Sequence, residues 1–423
     1  MTLASRTAIG QLLASVGLLA VAGATLIPLP QQAAASASTS LWCLVCGEYG
    51  GVDVLNNILL FLPLGLGIRL SGFRVMRVVA FGALLSLVIE LLQFAIIPGR
   101  DASLSDVVTN TLGTWVGAMA GTHLVRLLLP SSGQAAVLAL AAALMWLTVQ
   151  AATAVLLRPW ASDEIRGGAW ARATPGRTPF DGRVTAAVVS GFPIGNAPQP
   201  VSGLAAKVRQ GDVHLEVRLL SGSHAAVWSP VFEVLKPGGS VMSLEAVGRH
   251  LAFQPPMRSS QLRLRRPALR LDGALPSTPG VPLRVLAGVD GDSLVASWSI
   301  AESHVFRSDQ VLGPSLGWSL ITPVRHAFGP ETLWITGMWI AGWFGVIAYW
   351  TVAWRARLLA IASALTLVLF IGLALIPRLF GYPVSHWTEW LAGTAGVAIG
   401  YAGYHFAAYL GERCDSLSIK ESC

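Results

Sequence analysis

Three stretches near the amino terminus decide the fold class: VDVLNNILLFLPLGLGIRL (residues 52–70), SLVIELLQFAII (residues 86–97) and LSDVVTNTLGTWVG (residues 104–117). Each is apolar over most of its length, as a membrane-spanning helix is, yet each also contains charged or amide side chains. A charged group near the middle of a bilayer costs at least about 2.5 kcal/mol, so such groups usually mark a site. We therefore expect the function of the chain to depend on these stretches.

The composition of the whole chain is that of an integral membrane protein. Of its 423 residues, 53% are hydrophobic and 12% are charged, whereas a soluble domain has roughly 25% charged residues. The net charge of +7 is modest, and the basic residues form no run of the kind that nucleic-acid-binding proteins carry. We therefore expect no nucleic-acid partner.

The cysteines point to no metal site. Cys43 and Cys46 form a C-x-x-C pair, and Cys414 and Cys423 lie in the last ten residues. No Cys or His cluster has the spacing of a zinc site, and the surroundings of the C-x-x-C pair are unlike those of a thioredoxin. We interpret the cysteines as structural or incidental and expect neither a metal nor a cofactor.

Apolar segments long enough to cross a bilayer, which takes about 20 helical residues, recur along the chain. They predict eight spans, at about 8–29, 52–70, 77–97, 105–127, 135–157, 332–354, 357–376 and 386–410. The first is expected to be a retained helix, although AAASA after it resembles a signal-peptide cleavage site.

The basic residues that flank the spans predict the orientation. With the amino terminus in the cytoplasm, Arg69, Arg74, Arg126 and Arg355 all fall on the cytoplasmic side. Both termini are then cytoplasmic, in the inner or plasma membrane. The predicted domains are a five-span membrane domain (1–157), an extracytoplasmic β-sandwich (158–331), three further spans (332–411) and a cytoplasmic tail (412–423).

The segment between the fifth and sixth spans has the pattern of β-strands. Apolar and polar residues alternate from Val213 to Leu219, and again around Leu262–Leu264 and Leu269–Leu271. Glycine-containing turns follow at intervals of about ten residues, as in antiparallel sandwiches. Residues 178–320 resemble the concanavalin-like, laminin-G-type jelly roll, which implies a carbohydrate-binding fold. The predicted fold class is a polytopic α-helical membrane protein with an inserted all-β jelly-roll domain.

The polar residues of the first spans fall on single helix faces. Glu90 and Gln93 are three residues apart, as are Asn110 and Gly113, and residues at this spacing share a face of a helix. Three helices can thus present polar faces to one another near their outer ends. The candidate binding residues in this outer-leaflet cluster are Asp53, Asn57, Glu90, Gln93, Arg100, Asp106 and Asn110.

The first 127 residues also resemble a known family. The order and spacing of these polar residues, together with Phe61, Pro63, Gly65, Gly113 and Gly117, are similar to those of the VanZ-like membrane proteins over about residues 8–127. The family is named for a protein that lowers susceptibility to teicoplanin. The resemblance implies a cell-envelope membrane protein and supplies no molecular mechanism.

Several functions remain open from the sequence. The first is binding of membrane lipid or a lipid-linked glycan by the polar cluster and of polysaccharide by the β domain. In that role the protein affects glycopeptide susceptibility or exopolysaccharide assembly. The second is an enzyme acting on a lipid-linked sugar with Glu90 and Asp106 as acid and base. The third is a transporter. A polar network that only stabilises the helices is the structural alternative.

The last span repeats part of the pattern. Glu389, Gly393, Gly396 and Gly400 have the same spacing as Asp106, Asn110, Gly113 and Gly117. Two interpretations stay open, a degenerate internal duplication and a chance likeness between helices rich in small residues.

Overall fold

Five helices precede the β-rich region in the computed structural model, which describes residues 3–28, 45, 47–97, 102–171, 179–197, 199–223, 225–301, 304–322 and 325–420. Their apolar composition and length account for their formation in a membrane. They are α1 (Leu3–Thr25), α2 (Gly50–Leu70), α3 (Val75–Ala95), α4 (Leu104–Leu128) and α5 (Ser132–Leu156).

The β-rich region contains twelve strands among its described residues. They are β1 (Gly168–Trp170), β2 (Arg183–Val189), β3 (Phe192–Pro193), β4 (Val213–Leu220), β5 (Ala225–Lys236), β6 (Gly239–Gly248), β7 (His250–Gln254), β8 (Ala268–Leu271), β9 (Pro282–Asp290), β10 (Ser293–Ile300), β11 (Val305–Val311) and β12 (Ala327–Phe328). Two short helices, α6 (Leu204–Arg209) and α7 (Trp318–Ile321), interrupt them.

Further helices follow the strands. They are α8 (Thr332–Ala353), α9 (Leu358–Phe370), α10 (Ile376–Leu379) and α11 (Trp387–Lys420). A π-helical turn, Ile371–Leu375, joins α9 to α10 in one continuous rod. The turn lies where Gly372 meets the ring of Trp146, and a side chain at Gly372 would collide with that ring.

Six described helices are long and apolar enough to cross a membrane: α1, α2, α3, α5, α8 and the rod Leu358–Leu379. They agree with six of the eight predicted spans. The other two predicted spans are α4 and α11, which are also long helices but more polar. Each packs closely along an apolar helix, α4 along α2 and α11 along α8.

Glycine makes the contact between α2 and α4 close. A Cβ atom at Gly117 would collide with the backbone of Leu62, and one at Gly113 would collide with the backbone of Ile58. Small residues at such positions allow helix backbones to approach in a membrane. This contact holds the polar residues of α4 against those of α2.

The strands form two six-stranded sheets, in the orders β1-β5-β6-β7-β8-β12 and β11-β10-β9-β4-β2-β3. All strand pairs are antiparallel except β8 with β12. Val217 and Val285 of one sheet share a hydrophobic core with Phe232 and Leu244 of the other, so the sheets pack face to face as a sandwich. The predicted inserted β-sandwich is confirmed.

The predicted alternation is confirmed in β4 and β8 and is wrong around Leu262. Val213, Leu215 and Leu219 are buried while His214 is exposed, as period two requires. Arg258–Leu262 forms a 3₁₀-helix instead of a strand, and Leu262 is 58% exposed. The alternation of leucine and arginine here belongs to a turn next to the start of α2 and does not form a strand.

The sandwich core continues into the helices. Leu157 after α5, Trp318 of α7 and Tyr382 before α11 belong to the same buried cluster as the strands. The Tyr382 hydroxyl donates to the carbonyl of Ala154, 3.0 Å away. The sandwich therefore contacts one end of the helix bundle through buried contacts.

Candidate functional site

Glu90 joins α3 to the first turn of α4. Its side chain is only 7% exposed, and Oε2 accepts a hydrogen bond from the backbone N–H of Ser103 at 2.7 Å. Ser103 is the N-cap of α4, and its hydroxyl accepts from the N–H of Ser105. A carboxylate at a helix start interacts favourably with the helix dipole, so Glu90 fixes the beginning of α4.

Asp106 and Asn57 connect α4 to α2. The Asn57 amide donates to Oδ1 of Asp106 at 2.8 Å, and both side chains are half-buried. Asp53, one helical turn before Asn57, is exposed. Asp106 lies close enough to interact electrostatically with both Asp53 and Glu90. We call Asp53, Asn57, Glu90 and Asp106 the acidic cluster.

Asn110 and Gln93 bind elsewhere in the same bundle. The Asn110 amide donates to the hydroxyl of Ser86 on α3 at 2.9 Å. The Gln93 amide donates to the backbone carbonyl of Thr25 at the end of α1, 3.0 Å away. Both side chains are at least nine-tenths buried, so they connect helices inside the bundle.

A further predicted site residue, Arg100, lies outside the described residues. The structure supplies a cation that the sequence interpretation missed, because Arg265 from the β-sandwich interacts electrostatically with Asp53. Arg265 lies more than 200 positions from Asp53 in the chain, and no local pattern relates the two. Ser86 and the N–H of Ser103, the hydrogen-bond partners of Asn110 and Glu90, likewise have no sequence signal that predicts them.

The sandwich sits beside the start of α2. The backbone N–H of Gly51 donates to the carbonyl of Arg263 at 3.2 Å. The Arg265 guanidinium lies 4.8 Å from the ring centre of Tyr49, in cation–π range. Burial lowers the pKa of Arg265, and the neighbouring Tyr49 partly opposes that shift. The exposed end of the acidic cluster therefore faces the β-sandwich.

The geometry brings together residues from three helices, as expected. Residues 13–126 match the model of the VanZ/LLP1 family. They form a VanZ-like domain. No curated protein and no solved structure matches the chain.

The chemistry of the VanZ-like domain follows from its side chains. Carboxylate and amide oxygens accept hydrogen bonds, so the acidic cluster suits hydroxyl or ammonium donors. Among the described residues, no group of three or more His, Cys, Asp or Glu side chains is arranged to hold a metal ion. The domain and the apolar helices together make this a membrane protein of the cell envelope.

The β-sandwich carries a groove of about 740 Å³ on the outward face of its second sheet. Polar side chains from neighbouring strands reach it, among them His214, Glu216, Asp290, Ser297 and Arg307. Glu216 also forms ion pairs with Arg218 and Arg284, both at 3.0 Å. The groove therefore offers both donors and acceptors on a surface fixed by the sheet.

The repeated pattern of the last span places a second carboxylate at the same end of the molecule. Glu389, in the first turn of α11, accepts from the hydroxyl of Ser315 at 2.5 Å. Ser315 follows the last strand of the second sheet and in turn lies 3.4 Å from Ser385. Glu389 is thus held by the segment that connects the sandwich to the helices.

Proposed function

We propose that this membrane protein binds a lipid-linked glycan precursor of the cell envelope at the outer leaflet. The observation that carries the proposal is the acidic cluster, which runs from buried Glu90 to exposed Asp53 and opens towards the β-sandwich. Asp53 interacts with Arg265 of the sandwich, so the exposed end of the cluster lies where the helices meet the second domain. The sugar hydroxyls of the precursor are the expected donors to the cluster.

The groove of the sandwich supplies the second part of the proposal. Sugars are bound through several directed hydrogen bonds, and His214, Asp290 and Arg307 provide donors and acceptors along one face. The glycan would extend from the acidic cluster to this groove or be contacted by a polymer of the same kind. This role would place the protein in exopolysaccharide assembly or in protection of wall precursors.

Binding to the membrane site can be measured with the full-length protein in lipid nanodiscs. A polyprenyl-diphosphate-linked sugar should bind the wild type, and Asp106→Asn should weaken binding by about tenfold, because a charged acceptor contributes about 1.5 kcal/mol or more. The substitution keeps the acceptor for Asn57, so the fold should remain. No binding by the wild type, or equal binding by both proteins, would contradict the proposal.

The glycan groove needs its own variant. Arg307→Ala should weaken binding of a soluble envelope glycan to the full-length protein, whereas Arg183→Ala should leave it unchanged. Arg183 is exposed on the same sheet and does not line the groove. If both variants bind the glycan as the wild type does, the groove has no part in the function.

The cellular consequence can be tested in a susceptible host. Expression of the wild type should change susceptibility to a teicoplanin-type glycopeptide, and Glu90→Ala or Asp106→Ala should abolish the change at equal expression. Unaltered susceptibility on expression of the wild type would separate this chain from glycopeptide resistance.

A further inference from the structure

Positive charge is concentrated where the sandwich meets the start of α2. Five basic side chains surround residues 47–53: Lys236, Arg263, Arg265, Arg266 and Arg325. Arg270, which the sequence groups with these arginines, does not belong to the set. It binds Asp272 and Glu331 instead, both at 2.7 Å.

Three of the five cations have carboxylate partners. Arg266 is almost fully buried and binds Glu48 at 2.8 Å. Arg325 forms an ion pair with Glu245 at 2.6 Å, and Arg265 interacts with Asp53. These pairings satisfy the buried charges, as burial requires.

The other two of the five cations are Lys236 and Arg263. Among the described residues, neither has a carboxylate within ion-pair distance, and the Arg263 guanidinium donates only to the carbonyl of Val45. Both line a cavity of about 300 Å³, together with Ser260 and Gln261. Glu48 and Arg266 line it as well, but Glu48 is already bound to Arg266 at 2.8 Å. Lys236 therefore interacts with Glu48 only at longer range, and the cavity carries more positive than negative charge. We call it the basic pocket.

The pKa of Lys236 is lowered in this setting. Burial is the larger cause that lowers its pKa, and the positive charges of Arg266 and Arg263 lower it further, while Glu48 opposes them. A bound anion would relieve this repulsion and stabilise the charged lysine.

The basic pocket lies at the level where α2 begins. Gly47, Glu48 and Tyr49 line it and lead directly into α2. Leu262, next to Arg263 in the chain, is 58% exposed, and its backbone carbonyl lies against Gly51 of α2. An occupant of the pocket can therefore have a polar head on the protein and an apolar tail in the membrane.

We infer that the basic pocket binds the phosphate or diphosphate group of a membrane lipid through Lys236 and Arg263. The choice of a lipid as the source of the phosphate rests on the proposed function, whereas the anion site rests on the excess of positive charge in the pocket and on Lys236 and Arg263, which have no carboxylate at ion-pair distance among the described residues. The sugar of a lipid-linked precursor would then extend towards the acidic cluster, since Tyr49 lines the pocket and contacts Arg265, which interacts with Asp53.

The test uses a lipid diphosphate without sugar, so that it is independent of glycan recognition. Full-length protein in nanodiscs is titrated with farnesyl diphosphate, farnesol and inorganic diphosphate. Farnesyl diphosphate should bind at least tenfold more tightly than farnesol or inorganic diphosphate. Lys236→Gln and Arg263→Gln should each weaken its binding about tenfold, while Arg183→Gln, an exposed arginine far along the second sheet, should not.

Each other result overturns a defined part of the inference. Equal affinity of the wild type and both pocket variants, at unchanged melting temperature, removes the anion site. Equal affinity for farnesol removes the phosphate as its ligand. Inorganic diphosphate that binds as tightly as farnesyl diphosphate overturns the lipid assignment. Loss of sugar-lipid binding with retained farnesyl diphosphate binding would contradict the proposed function alone.

Discussion

The helices α4 and α11 carry the same spacing of a carboxylate and small residues, yet their carboxylates have different partners. On α4, Asp106 and the neighbouring Glu90 bind groups of the VanZ-like domain itself, Asn57 and the N–H of Ser103. On α11, Glu389 binds Ser315, which lies between the sandwich and the helices. One pattern builds a polar cluster within a bundle, and the other attaches a bundle to a second domain.

The difference follows from single residues. Asn110 of α4 donates to Ser86 on a third helix, whereas the corresponding Gly393 of α11 has no side chain and packs against Leu369. The glycines that follow behave alike, since Gly117 meets α2 and Gly400 meets α8 at backbone distance. Equal spacing of the glycines therefore gives similar packing, and the difference between the two helices lies at the position of Asn110 and Gly393.

The largest expected effect tests whether α4 and α11 pack equally closely against their neighbouring helices. Gly117→Ala and Gly400→Ala should each lower the free energy of unfolding by about 1–3 kcal/mol, because the added methyl group meets backbone that cannot rotate away. Thermal unfolding in detergent would measure it. Gly337→Ala is the control, since its nearest neighbour would be a side-chain carbon 3.7 Å away. A tolerated Gly400→Ala would break the parallel between the helices.

The next prediction asks whether Glu90 stabilises the protein through its hydrogen bond or through its charge. Glu90→Ala leaves the part-buried N–H of Ser103 without its acceptor and should destabilise the protein by about 1–3 kcal/mol. Glu90→Gln keeps an acceptor oxygen and should retain most of the stability. If Glu90→Ala melts with the wild type, the hydrogen bond to α4 contributes little and the cluster is looser than described.

A smaller loss of stability is expected when the hydrogen bond to Glu389 is removed. Ser315→Ala removes one hydroxyl donor from Glu389 and should cost about 0.5–1.5 kcal/mol. Because Ser315 lies between the sandwich and the helices, proteolysis of that connection should also become faster. Unchanged proteolysis would show that Glu389 does not secure the connection.

The smallest expected effect is a pH dependence of stability caused by His326, a residue of the β-rich region. Burial lowers the pKa of His326, which lies 4.9 Å from Trp318 in ring-centre distance. The unfolded chain then binds a proton more readily than the folded one, so stability is full above about pH 6.5 and declines as the pH falls below it. His326→Phe should remove this decline in a pH series of melting temperatures. A wild type with no decline would place His326 in a more solvated setting.

Most local elements could be predicted from the sequence, because their hydrophobic period matches that of a helix or a strand. The apolar run 77–97 predicts the helix observed as Val75–Ala95, and the alternation from Val213 to Leu219 predicts a strand. The same alternation misleads at Leu262, where exposure beside the helices replaces burial in a sheet. The helix-face argument brings Asn57 and Asp106 together correctly, since both lie on facing helices with close glycine contacts.

What the sequence does not predict is contact between distant segments. Arg265 reaches Asp53 and Ser315 reaches Glu389 only because the sandwich folds onto one end of the bundle. Neither pair has a spacing that a helix or strand would reveal. The spans α4 and α11 are likewise recognised more weakly by composition, since their polar residues serve the site and the domain contact.

The affinity of full-length protein in nanodiscs for a polyprenyl-diphosphate-linked sugar separates the role of the acidic cluster from that of Glu389 most directly. Asp53→Asn alters the exposed carboxylate of the acidic cluster and should weaken binding about tenfold. Glu389→Gln alters the carboxylate that serves attachment and should leave the affinity unchanged. Equal affinity of the wild type and Asp53→Asn, or a larger loss in Glu389→Gln, would contradict the assignment of the site to the VanZ-like domain.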